Sequence, residues 1–158
     1  MKPHGSVNNS DFTAEVLKTF TASGFKTVQD YLSRQDDIVA VYLFGSFGTE
    51  YQNKYSDLDL GVIFHQCKLP DLRRELSIEA ELSLLLGIDK IDLVNLNRAP
   101  VQLRFKAVAK GTILFEGDAN ALASFLENTY RKYGDYQVDL EAYYQEYRKA
   151  LQEAYLNG

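Results

Sequence analysis

Two periods of hydrophobic spacing divide the chain. Residues 38–44 and 57–64 are short apolar runs rich in β-branched and aromatic side chains, the pattern of buried strands. Residues 90–96 and 112–115 repeat that pattern and predict a third and a fourth strand. Elsewhere the spacing is helical. Residues 71–86 carry Leu72, Leu76, Leu82, Leu85 and Leu86 at helical intervals, and Gly87 supplies a stop. Residues 100–109 open on Pro100, which is favoured in a first helical turn. Residues 11–20 and 27–34 read as helices parted by Ser23-Gly24, the second capped by Thr27 with Asp30 three positions on.

The last forty residues read as two more helices. Asp118 caps one that carries Leu122, Phe125, Leu126, Tyr130 and Tyr133, and Gly134 ends it. Residues 138–156 then set Leu140, Tyr143, Tyr144, Tyr147, Leu151 and Tyr155 along one stripe. Both stripes are expected to pack on the sheet or on each other. The sharper alternative is that the tyrosines of the last helix meet a partner, since tyrosine joins a large apolar body to a polar tip. The fold class is α/β in the α+β sense, a small mixed sheet flanked by helices. Residues 1–117 form the core with the N-terminal helices, and residues 118–158 form a helical extension packed on the same domain.

Composition narrows the classes of function. A chain of 158 residues is expected to hold one domain with a proper core. Its 46% hydrophobic and 25% charged content is that of a soluble globular protein. No apolar run reaches a membrane span, and residues 1–10 lack the apolar region of a signal peptide, so a cytoplasmic protein is expected. The lone Cys67 has no internal disulfide partner and is expected to be buried or half-buried. His4 and His65 lie in no zinc-ligand spacing. Acidic residues outnumber basic ones, 22 to 17, for a net charge of −5. This balance disfavours direct nucleic-acid binding and suits a basic protein partner.

The junction of the first two strands carries the chemistry. Gly45-Ser46 closes the first run, ten residues follow, and Asp57-Leu58-Asp59 opens the second. Side chains alternate along a strand, so Asp57 and Asp59 share a face and Leu58 takes the other. Two carboxylates on one face repel unless a cation lies between them. Mg²⁺ suits such a pair, because it takes one or two protein carboxylates and completes its shell with water and phosphate. Gly45 allows close backbone approach to a phosphate, and Ser46 offers a hydroxyl and a backbone N–H. Phosphate donors beside a metal-binding carboxylate pair point to phosphoryl or nucleotidyl transfer. Asp92, within the third strand, joins the other two carboxylates if that strand pairs beside the second; otherwise it is a surface aspartate near Asp89 and Lys90.

Gly-Ser, ten residues, then Asp-x-Asp resembles the signature of the DNA polymerase β-like nucleotidyltransferase superfamily, and within it the minimal nucleotidyltransferases. Lys90-Ile91-Asp92-Leu93-Val94-Asn95-Leu96-Asn97-Arg98-Ala99-Pro100 and Lys110-Gly111-Thr112-Ile113-Leu114-Phe115 are similar to the second half of MntA-type antitoxins of HEPN/MNT pairs. Many relatives follow Gly-Ser with Phe-Ala-Arg-Gly, where this chain has Phe47-Gly48-Thr49-Glu50. The resemblance implies a polymerase-β-like fold and Mg²⁺-dependent transfer of AMP from ATP to a tyrosine of a HEPN ribonuclease toxin. Asp57, Asp59 and Asp92 would be catalytic and metal-binding, and Gly45 and Ser46 nucleotide-binding. Two alternatives stand beside it: a small-molecule nucleotidyltransferase of the aminoglycoside kind, and a non-catalytic antitoxin acting by contact.

Overall fold

The computed structural model describes residues 22–44, 58–88 and 91–157. Within them the order is α1 (Ala22–Ser33), β1 (Ile38–Phe44), β2 (Leu58–Phe64), a 3₁₀ turn at Gln66–Lys68, α2 (Leu72–Leu86), β3 (Ile91–Asn95), α3 (Val101–Lys110), β4 (Thr112–Glu116) and α4 (Ala119–Asn157). The expected helix over residues 11–20 and the turn after Ser46 lie outside the described residues.

The four strands form one mixed sheet in the order β3-β2-β1-β4. β1 lies antiparallel to β2 and β4, while β2 and β3 run parallel. A parallel neighbour needs a crossover, and α2 supplies it. Strand burial follows position in the sheet. Every residue of β1 except Phe44 is buried, and every residue of β2 except Asp59, because both are covered on two faces. The edge strands β3 and β4 are only partly buried.

Two apolar layers sandwich the sheet. Leu58, Leu60, Val62 and Phe64 point to one face and pack with Val28 and Leu32 of α1 and Ile78 and Leu82 of α2. On the opposite face Tyr42 and Ile63 pack with Leu96, Ala107 of α3, and Leu122 and Phe125 of α4. Helix ends follow local chemistry. The Asp71 carboxylate accepts from Arg74 N at 2.8 Å to cap α2, and Gly87, at φ 65°, ends it in the left-handed conformation. Asp118 Oδ1 accepts from Ala121 N at 3.0 Å to open α4.

Three sequence expectations need correction. α1 starts at Ala22 and runs through Gly24 and Thr27, so Ser23-Gly24 does not break it. A glycine costs a helix only about 1 kcal/mol, and burial of Val28 and Leu32 on the sheet outweighs that. Cys67 is exposed, because the chain leaves the buried strand at Phe64 and turns along the surface. The two expected C-terminal helices are one helix of 39 residues, with Gly134 inside it. Gly134 has no positive φ and no proline follows it, so nothing stops the helix there. Only its inner part packs, through Leu122, Phe125 and Thr129. The outer stripe of Tyr143, Tyr144, Tyr147, Leu151 and Tyr155 is exposed.

Candidate active site

β1 ends at Phe44, which pairs with Asp59 of β2, and Asp59 pairs in turn with Asp92 of β3. This three-strand row forms one end of the sheet. Partners in register on a parallel pair project their side chains to the same face, and neighbouring strands lie about 4.8 Å apart. Alternation fixes which face that is. Leu58 and Leu60 pack with α1 and α2, so Asp59 takes the side of Ile63. Ile91 and Leu93 likewise pack with α1 and α2, while Val94 packs with α3 and α4, so Asp92 takes that same side. Asp59 is half-buried and Asp92 exposed. The two carboxylates therefore stand side by side, and Asp92 incurs little burial cost.

Gly45, Ser46 and Asp57 lie outside the described residues. In sequence Gly45-Ser46 directly follows Phe44, and Asp57 directly precedes Leu58. Phe44 belongs to the row that carries Asp59 and Asp92, and Leu58 is the neighbour of Asp59 along β2.

Packing behind the row is close. Gly61 follows Asp59 on the same face, and a Cβ there would come within 2.8 Å of Leu96 Cδ1 and 3.1 Å of Phe44 Cε1. The missing side chain lets these two residues close over the sheet beneath the carboxylates.

The strand that bears Asp92 is held from outside. As an edge strand β3 leaves main-chain groups without a neighbouring strand. Glu79 of α2 accepts from Leu93 N at 3.3 Å, and Glu75 Oε1 accepts from Asn95 Nδ2 at 2.7 Å. Asn97 Oδ1 accepts from Phe64 N at 2.8 Å, while its Nδ2 donates to Phe64 O at 2.9 Å, tying the end of β2 to the turn after β3. The sequence places Glu75 and Glu79 within the helical run 71–86 but does not show these positioning roles. Their four-residue spacing opposite a strand edge was the available signal.

The donor set suits a hard cation. Among the described residues no group of three His, Cys, Asp or Glu side chains gathers into a metal site. Asp59 and Asp92 are two carboxylates, which is the number Mg²⁺ takes when water and phosphate fill the remaining positions. His65 lies at the far end of β2, 3.8 Å from Asp118, and takes no part in this row.

Comparison with known proteins places this geometry. The model of the polymerase β nucleotidyltransferase domain matches residues 26–120. No curated protein matches the chain. Among solved structures, a chain of the MntA–HepT toxin–antitoxin complex is 21% identical with a TM-score of 0.59, covering 80% of this chain and 97% of its own. A toxin–antitoxin structure with AMP-PNP is 22% identical with a TM-score of 0.59, covering 78% and 95%. A complex of tri-AMPylated Shewanella oneidensis HEPN toxin with MNT antitoxin gives 21% identity and a TM-score of 0.53, covering 87% and 97%. At such identities the likeness establishes a shared fold. The family match, which spans all four strands and the row of Phe44, Asp59 and Asp92, shows that this chain belongs to the polymerase β nucleotidyltransferase family.

Proposed function

We propose that this chain is an antitoxin-type protein adenylyltransferase, which transfers AMP from ATP to a tyrosine hydroxyl of a partner HEPN ribonuclease toxin in the cytoplasm. The observation that carries the reading is the in-register pair Asp59 and Asp92 at the end of a polymerase-β-like sheet. Solved relatives of the same fold that hold AMP-PNP or an AMPylated HEPN toxin support the choice of nucleotide and acceptor.

In this reaction the tyrosine oxygen attacks the α-phosphorus of ATP. The bond from that phosphorus to the bridging oxygen of the β-phosphate breaks, and pyrophosphate leaves. Asp57, Asp59 and Asp92 would hold Mg²⁺, whose charge offsets that of the triphosphate and of the attacking and leaving oxygens. Gly45 and Ser46 would hold the leaving phosphates, a role their residue types suit. Asp92, exposed on the outer strand, would help hold a second metal ion near the acceptor or accept the hydroxyl proton. Little else is needed, because the catalysis is positioning and charge neutralisation.

The extension from residue 118 onward is one helix whose outer half is exposed, a surface that a protein acceptor could cover. The outer half also carries the tyrosine stripe on an acidic background, which suits a basic protein surface.

Incubation with Mg²⁺ and α-labelled ATP, with and without the product of the neighbouring gene, tests the proposal. Label is expected on a tyrosine of that protein, falling on the order of 100-fold or more in Asp57→Asn and Asp59→Asn. Tight complex formation without labelling would instead mark an antitoxin that acts by contact.

A further inference from the structure

We propose that a cavity at the opposite end of β2 from the carboxylate row binds a phosphorylated organic molecule of about nucleoside-monophosphate size. The cavity measures ≈ 770 Å³ and lies between the end of β2 and the helices α3 and α4. Ile63 and His65 on its wall are four and six residues beyond Asp59, or roughly 13–20 Å along the strand. It is therefore separate from the row that carries the candidate chemistry.

Arg104 of α3 makes the argument. Its guanidinium lies 4.6 Å from the centre of the Phe125 ring. Nη2 donates to Asn128 Oδ1 at 3.3 Å and Thr129 Oγ1 at 3.2 Å, both neutral acceptors. Nε is buried and has no hydrogen-bond partner among the described residues. No carboxylate pairs with this guanidinium among the described residues. Burial alone pulls its pKa below the usual arginine value.

Arg104 is half-buried, and a buried donor atom left without a partner carries a desolvation penalty that an incoming acceptor relieves. In a chain whose acids outnumber its bases, 22 to 17, a protein carboxylate could have served. Among the described residues none lines this cavity.

The neighbouring side chains have the same polarity. Lys132 stands one turn beyond Asn128 on α4, lines the cavity, and forms no ion pair among the described residues. His65 stands at the same wall. Asp118 caps α4 through Oδ1 and sets its Oδ2 3.8 Å from His65 Nε2, so the imidazole already faces a carboxylate. Arg104 and Lys132 thus line one cavity and offer a phosphate there charged donors, with the Asn128 amide beside them. Inorganic phosphate would fill a small part of the space. The apolar remainder, lined by Val39, Ile63 and Phe64, suits an organic body attached to the phosphate.

Isothermal titration of the full chain with AMP in EDTA tests this, because removing divalent metal silences nucleotide binding at the carboxylate row. Saturable binding of AMP is expected, with inorganic phosphate at least tenfold weaker. Lys132→Ala, an exposed change that leaves the core intact, should weaken AMP about tenfold or more, and Arg104→Met should weaken it further. Three results would overturn the proposal: no metal-free AMP binding, phosphate binding as tightly as AMP, or affinity unchanged in Lys132→Ala but lost in Asp59→Asn.

Discussion

Gly61 is the residue on which the carboxylate row depends without touching any substrate. Leu96 and Phe44 occupy the space its side chain would take, and Leu96 is fully buried. Gly61→Ala should therefore lower stability by about 1–3 kcal/mol through overpacking, read as an earlier urea midpoint with unchanged slope. Tyr42, which pairs with Gly61 across β1 and β2, predicts a pH effect. Burial, and then the nearby Tyr130 and Glu116, raise the Tyr42 phenol above the ordinary tyrosine value. The folded protein holds that proton more tightly than the unfolded chain does. The stability it confers is thus intact below about pH 10 and is lost as pH rises through the raised folded value. Tyr42→Phe should flatten the loss of stability between pH 9 and pH 11, measured by urea unfolding across that range. An equal loss in both proteins would show that other groups dominate.

The four strands were legible as elements because each is an apolar run whose composition suits a buried or half-buried sheet, and none competes with a helical period. Helix punctuation was legible only where a cap or a turn uses the signal. Asp71, Gly87 and Asp118 each make the capping contact their residue type favours. Thr27 and Gly134 carry the same kind of signal inside continuous helices, since a capping residue is permissive and packing or continuity can override it. At Gly134 the override has a measurable cost. No atom of the described residues lies within 4 Å of where its Cβ would be, so Gly134→Ala removes backbone freedom from the unfolded chain without a clash. The substitution should stabilise α4 by roughly 0.5–1 kcal/mol, seen as greater helical ellipticity retained on heating. The outer half of α4 is about 30 Å of helix with an exposed stripe. Its side chains add little to the core, so its tyrosines can be selected for contact with another surface.

At the scale of the whole molecule, the sheet joins sites that the sequence presents separately. The spacing from Gly45-Ser46 to Asp59 was visible in the chain, but the neighbour of Asp59 depended on strand order, which local pattern does not encode. Only the parallel pairing through α2 sets Asp92 beside Asp59. The cationic cavity was illegible for the same reason, because Arg104, Lys132 and His65 come from three elements with no shared motif. This architecture also couples binding to folding. The row of Phe44, Asp59 and Asp92 spans β1, β2 and β3, and the two central strands are shared by both apolar layers. A ligand held at that row cannot be retained while either layer is unfolded. Mg²⁺ with ATP should therefore stabilise the whole domain in one transition, by about 2.7 kcal/mol at a hundred times its dissociation constant. For a chain of this size that corresponds to a rise in Tm of roughly 5–10 °C. Differential scanning calorimetry should show a single shifted peak, returned to its original position by EDTA and absent in Asp59→Asn. A second peak that ignores the nucleotide would mean that one helical layer unfolds on its own. An unshifted wild-type peak at saturating Mg²⁺ and ATP would mean that the row does not hold the nucleotide.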